Sequence, residues 1–126
     1  RKSCKGSLIH VFGSAALRDL TKRPLMGEAS ARYADIIVLT EEDYRTEDVH
    51  TIIDEIASRI PSESRVVRLP DRDEAIGFAL NEAKPGDTVM ITGKGHEKSL
   101  ARGSREYPWS DQEAVSKHMK RLGYGT

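Results

Sequence analysis

Four short apolar runs punctuate the chain: Leu8-Ile9-His10-Val11-Phe12, Ile36-Ile37-Val38-Leu39, Val66-Val67-Arg68-Leu69 and Thr88-Val89-Met90-Ile91-Thr92. They are rich in β-branched residues and nearly continuous, the pattern of strands covered on both faces, and they predict four central parallel strands. Between them the apolar spacing changes to the helical period. Val49, Ile52, Ile53, Ile56, Ala57 and Ile60 lie on one face of a helix, with Thr46, Glu47 and Asp48 as cap and acidic first turn. Ala75, Ile76, Ala79, Leu80 and Ala83 make a second apolar face, opened by Asp71 with Glu74 three residues on and stopped before Pro85-Gly86. Leu25, Met26, Ala29 and Tyr33 predict a further helix with Pro24 in its first turn. Ser110-Asp111-Gln112-Glu113 is a capping box ahead of Val115, Met119 and Leu122, and Gly123 ends that helix. The stretch from Ser99 to Trp109 has no helical period and predicts an antiparallel hairpin around Gly103.

Alternating strands and helices imply βαβ units with right-handed crossovers. The expected fold is α/β: a Rossmann-like open, mostly parallel sheet with helices on both faces, followed by a C-terminal hairpin and helix. In such sheets ligands bind beyond the carboxyl ends of the strands, which fixes where to look for chemistry. The length of 126 residues suits one domain, residues 1–126, with a single core. Twenty basic residues balance twenty acidic ones, so no global field draws the chain to nucleic acid or to an anionic membrane. No apolar run approaches the roughly 18 residues of a membrane span. One cysteine, Cys4, and a start without an apolar signal stretch point to a reducing cytoplasm.

Three segments follow predicted strand ends. Gly13-Ser14-Ala15-Ala16-Leu17-Arg18-Asp19-Leu20-Thr21-Lys22-Arg23-Pro24 is a small-residue turn with three cations leading into a helix, suited to a carboxylate or phosphate. It also reads as a solvated basic helix start. Thr40-Glu41-Glu42-Asp43-Tyr44-Arg45-Thr46-Glu47-Asp48 places five acids around one Arg, which suits a zwitterionic amino acid: ammonium to the carboxylates, carboxylate to Arg45. The plainer reading is an acidic helix start, a role that Glu47 and Asp48 fit. Gly93-Lys94-Gly95-His96-Glu97 lets backbone N–H groups approach a ligand, or is a plain glycine turn.

Other chemistries lack their residues. There is no GxxxxGK[ST] phosphate loop and no GxSxG elbow, and Cys4 sits at a terminus. His10, His50, His96 and His118 show no metal-ligand spacing, so no metal site is expected. His10 reads as sheet packing, and Tyr107 and Trp109 as covers for the sheet edge or core.

In order, VFGSAALRDLTKRPLMG, ADIIVLTEEDYRTED and GDTVMITGKGHE resemble the C-terminal domain of the Mur ligase family, from about Lys5 to Leu122. The likeness is to members that add the third amino acid of the peptidoglycan stem peptide. The resemblance implies the last domain of a three-domain ligase, closing over a central ATPase domain, with an N-terminal UDP-binding domain beyond. Family enzymes use ATP and magnesium to convert a carboxylate to an acyl phosphate, which the incoming amine attacks. No catalytic residue and no cofactor would then belong to this domain alone; its task would be to grip the amino acid.

Carried over by position, Arg18 matches a family arginine that helps bind the amino acid. Glu42, Asp43 and Arg45 fall on the family's DNPR motif, and Gly93 and Glu97 on the ends of GKGHE. Lys22, with Ser14, would face nucleotide phosphates. Two departures stand out: Ala15-Ala16-Leu17 replaces GGD before Arg18, and Asp43-Tyr44 replaces Asn-Pro. Arg45 favours a substrate with a side-chain carboxylate, such as meso-diaminopimelate, over lysine. Related readings are another Mur-type ligase (folylpolyglutamate, cyanophycin or muramyl amidation) or a small-molecule-binding module without catalysis.

Overall fold

The computed structural model describes residues 6–15, 21–94 and 97–123. The order of elements is β1 (Leu8–Phe12), α1 (Lys22–Ala31), β2 (Ile36–Leu39), α2 (Val49–Ala57), β3 (Arg65–Arg68), α3 (Arg72–Glu82), β4 (Thr88–Ile91), β5 (Ser99–Arg102), β6 (Arg105–Pro108) and α4 (Asp111–Arg121). The first four strands form one parallel sheet in the order β3-β2-β1-β4. β5 and β6 form a separate antiparallel hairpin that turns at Gly103, whose φ is +61°.

Side-chain alternation assigns the two faces. Ile9, Val11 and Val38 point to the face covered by α3 and α4, where Ala75, Ile76, Ala79 and Ala114 complete a core. Phe12, Ile37 and Leu39 point to the other face, against Ile52, Ile53 and Ile56 of α2. The predicted α/β architecture holds, with one correction to the strands: β3 and β4 are edges, and each is only partly covered. Their apolar runs resemble central strands because helices pack both faces even at the edge.

The helices show where local signals suffice. Asp71 caps α3, its carboxylate accepting from Asp73 N and Glu74 N, and Ser110 caps α4 through Glu113 N. For α2 the cap is Asp48, which accepts from His50 N, and not Thr46. In α1 the expected apolar face is not the buried one: Leu25 and Tyr33 are exposed, while Arg23, Gly27 and Ser30 are buried. α1 turns a small-residue face to α2 because the two approach closely; a Cβ at Gly27 would lie 2.0 Å from the Ile56 carbonyl oxygen. Gly27→Ala therefore forces backbone against backbone. It is expected to lower the unfolding free energy in urea by about 1–3 kcal/mol even though alanine is the better helix former. An unchanged midpoint would show that the helices do not meet there.

His10 is packed as the sequence reading has it, with Nδ1 2.8 Å from Ser30 Oγ, Nε2 2.9 Å from Thr92 Oγ1 and the ring stacked on Phe12. Trp109 packs on the α3–α4 core and donates Nε1–H to Asp111. Tyr107 does not cover the core: it is exposed, with the Arg102 guanidinium 5.8 Å from its ring centre. Cys4 lies outside the described residues.

Candidate functional site

The chain steps outward from β1 through β2 to β3 at one edge and then crosses to β4 on the far side of β1, so the strand order reverses between β1 and β4. Beyond the carboxyl ends of these strands lies a cavity of about 360 Å³. It is lined by Ser14 after β1, Lys22 of α1, Glu42 after β2, and Gly93 and Glu97 after β4, with Ala15 and Met26 as apolar wall. Five residues singled out in the sequence thus meet at the topological switch point, where open α/β sheets take their ligands.

Two glycines make the approach possible. An added Cβ at Gly13 would lie 2.2 Å from the Thr40 carbonyl oxygen, so the loops after β1 and β2 touch only without a side chain there. Gly93 has φ +111°, a conformation costly for other residues, and the Glu42 carboxylate lies over it.

The three cations of the first segment have different fates. Arg18 lies outside the described residues. Lys22 is exposed and faces the cavity. Arg23 is fully buried and is not available to a ligand: Nη1 donates to Glu47 at 2.6 Å and Glu55 at 2.7 Å, Nη2 to the Ala15 carbonyl at 3.1 Å, and Nε to Ser14 Oγ at 3.3 Å. The hydrogen bond to Glu47 raises its pKa despite burial. Arg23 therefore fixes the floor on which Ser14 sits.

The acids of the second segment are also sorted. Glu41 is buried and takes a bidentate contact from Arg102, at 2.7 and 2.5 Å, and a bond from the Arg72 backbone N–H at 3.0 Å. Glu47 holds Arg23 and Asp48 caps α2. Asp43 pairs with Lys94 and accepts from Ala101 N at 2.8 Å. Glu42 is left facing the cavity, with no hydrogen bond or ion pair to its carboxylate among the described residues. Burial raises its pKa, outweighing the attraction of Arg72 and Lys94. Arg45 is exposed and has φ +52°, its backbone bonded to Ala101 O and Gly103 N of the hairpin. Its side chain is not among those lining the cavity, which separates it from Glu42, Gly93 and Glu97.

The cavity thus carries carboxylates at Glu42 and Glu97, a cation at Lys22 and a hydroxyl at Ser14. Such a set suits a small zwitterion, with ammonium toward the acids. Among the described residues that line it there is no paired nucleophile and base; these groups can bind and orient a ligand.

Residues 1–95 match the family model described as the Mur ligase glutamate ligase domain. The chain belongs to the Mur ligase family. It is 41% identical over 130 residues to a UDP-N-acetylmuramyl-tripeptide synthetase of Roseiflexus sp. (strain RS-1), covering 99% of this chain and 26% of that protein. It is 44% identical over 115 residues to a UDP-N-acetylmuramoyl-L-alanyl-D-glutamate--2,6-diaminopimelate ligase of Aquifex aeolicus (strain VF5), covering 91% and 24%. A solved structure of a ligase of the latter name superposes with a TM-score of 0.91 at 33% identity, over 97% of this chain and 25% of that one. The chain therefore spans about a quarter of the length of the Mur ligases it matches.

Within this Mur ligase domain, Arg72 and Arg102 have a structural role that the sequence reading does not name, and Arg23 and Lys94, read there as part of ligand-facing loops, are buried ions of the fold. Arg72 had a readable signal, since the apolar ladder Ala75, Ile76, Ala79 carried back one turn lands on it. The others are placed by long-range packing. Among the described residues no group of three or more His, Cys, Asp or Glu could hold a metal ion, and no helix is long and apolar enough to cross a membrane.

Proposed function

We propose that residues 1–126 are the C-terminal, amino-acid-binding domain of a cytoplasmic ATP-dependent Mur ligase. That ligase adds meso-diaminopimelate as third amino acid to UDP-N-acetylmuramoyl-L-alanyl-D-glutamate in peptidoglycan synthesis. The observation that carries this reading is the convergence of Ser14, Lys22, Glu42, Gly93 and Glu97 on one cavity at the switch point. Relatives named for the same ligation support it.

In this reading the acyl phosphate forms in the central ATPase domain, the N-terminal domain holds the UDP end, and this chain delivers the amine. Glu42 and Glu97 receive an ammonium group, Arg18 and Arg45 face carboxylates, and domain closure excludes water from the acyl phosphate. Lys22 and Ser14 lie where a nucleotide phosphate would meet this face. In this reading ATP and magnesium are held by the intact ligase and not by this domain alone.

The test is an acceptor screen on the complete ligase with ATP and the UDP-dipeptide. Ligation of meso-diaminopimelate in preference to lysine is expected, and Arg45→Ala is expected to raise the diaminopimelate KM by roughly tenfold, the scale of one charge-assisted contact. Equal use of lysine, or an unchanged KM in the variant, would overturn the assignment of Arg45. Preference for glutamate would move the protein to another branch of the family. The 126-residue chain alone should form no amide from ATP and these substrates.

A further inference from the structure

We propose that Lys94 is the positioning residue of the cavity: it touches no substrate, fixes the Glu97 carboxylate at the cavity wall, and through Asp43 locks the loop after β4 to the loop after β2. The inference rests on reading the cavity as the amino-acid pocket.

A lysine between two glycines after a strand end suggests a side chain reaching for phosphate. The structure excludes that role. Lys94 is 2% exposed, and its ammonium is held between two carboxylates: Asp43 Oδ1, Asp43 Oδ2 and Glu97 Oε1 each lie at 2.9 Å. Buried and paired in this way, it is turned away from an arriving ligand. Burial opposes the charge on Lys94, yet the bonds to Glu97 and Asp43 outweigh it and raise the lysine's pKa. Asp43 is held below the usual carboxylate range, its burial outweighed by the Ala101 N–H and by Lys94.

The arrangement is a chain of contacts. The hairpin holds Asp43 through Ala101 N, Asp43 holds Lys94, and Lys94 holds Glu97 by one oxygen. One ammonium set against two carboxylates leaves one negative charge in the trio. Of the two carboxylates Glu97 is the one that reaches the cavity and solvent, its side chain 59% exposed against 17% for Asp43. Among the described residues no partner is seen for the second Glu97 oxygen, and Glu97 lines the cavity. The departure from the DNPR motif fits this: where that motif has asparagine, Asp43 supplies the extra charge that lets Lys94 stay buried without neutralising Glu97. Without Lys94, the exposed Glu97 side chain would move among rotamers and would have to be ordered by each arriving substrate.

The experiment uses the complete ligase and meso-diaminopimelate. Lys94→Met is combined with Asp43→Asn, so that no unpaired charge is buried, and folding is checked by urea midpoint. The pair is expected to raise the amino-acid KM roughly tenfold, on the order of ordering one side chain, with the ATP KM and kcat within about twofold. Glu97→Gln should raise the same KM. Added to the pair it should raise KM no further, because Lys94 acts through Glu97. A wild-type amino-acid KM in the folded pair, or a Glu97→Gln effect that multiplies fully with the pair's, overturns the proposal. Because Glu97 is exposed, its single variant should fold even if the pair does not, and an unchanged KM there overturns the proposal. If the wild-type ligase accepts no amino acid, the pocket reading fails and takes this inference with it. If it accepts one, only the variants decide.

Discussion

Replacing Arg72 by methionine is expected to destabilise the protein by about 3–5 kcal/mol, the cost of removing one partner of a buried ion pair. Arg72 is fully buried at the start of α3. Its Nε and Nη2 donate to Asp111 at 2.8 and 3.0 Å, Nη1 to the Glu41 carbonyl at 2.9 Å, and Nη2 also to the Thr92 carbonyl at 3.0 Å. One guanidinium therefore ties the loop after β2, the end of β4 and the first turn of α4. Methionine fills most of the volume but removes the donor from two carbonyls and, among the described residues, leaves Asp111 with only the Trp109 indole as a side-chain donor. Urea unfolding of Arg72→Met, Asp111→Asn and the double variant measures this. The double variant should lose clearly less than the sum of the singles, since a neutral amide in place of the Asp111 carboxylate needs no cation. A loss under about 1 kcal/mol in Arg72→Met would mean the guanidinium is not the tie the geometry makes it. The same variant should weaken the cavity, because Glu42 and Gly93 stand one residue beyond the two carbonyls it holds.

This ion network also marks the limit of what could be read from the chain. β1, β2 and the Asp71 and Ser110 caps follow from neighbours in sequence, with boundaries that agree; the ladder on α2 is also legible, but the helix ends at Ala57, before the predicted Ile60, and its cap is Asp48. The positions of Glu42, Gly93 and Glu97 at strand ends were legible for the same reason. What a local pattern cannot carry is partnership across the fold. That Asp43 meets Lys94, 51 residues away, and Glu41 meets Arg102, 61 residues away, depends on the strand order and on where the hairpin lands. Sequence sets Glu47 and Asp48 apart at the helix start but cannot rank Glu41, Glu42 and Asp43; the fold pairs Glu41 with Arg102 and Asp43 with Lys94, and sets Glu42 against the cavity. The pattern misplaces the buried face of α1 for a related reason. Leu25, Met26, Ala29 and Tyr33 satisfy an apolar period, but α2 comes too close at Gly27 for a large side chain, so the cation Arg23 and the small residues Gly27 and Ser30 go inward.

Lowering the pH from 7 to 4 is expected to remove about 3 kcal/mol of stability through His10 alone. Burial among β1, α1 and the end of β4 lowers its pKa from 6.5 to about 4. In the unfolded chain the imidazole takes a proton below pH 6.5; in the folded chain it stays neutral until about pH 4. Between these values the unfolded state binds more protons, so stability falls as pH falls, and above 6.5 the contribution is complete. Neutral imidazole offers one donor and one acceptor, and Ser30 and Thr92 hydroxyls accommodate either role. The aspartates with lowered pKa, Asp43, Asp73 and Asp87, lose their contributions at lower pH, so a scan from pH 7 to pH 5 isolates about 2 kcal/mol of the histidine effect. Glu42, raised by burial, has the opposite sign: its folded form holds its proton longer and gains stability as pH falls. Unfolding free energies are therefore best compared in wild type, His10→Gln and Glu42→Gln. Glutamine keeps a donor and an acceptor without titrating and should flatten the profile, while Glu42→Gln should steepen it. A His10→Gln profile parallel to wild type would assign the acid sensitivity elsewhere. The loss bears on the site because Thr92 is shared: its hydroxyl meets His10 and its carbonyl meets Arg72. A charged imidazole would thus disturb the end of β4, one residue before Gly93 and two before Lys94.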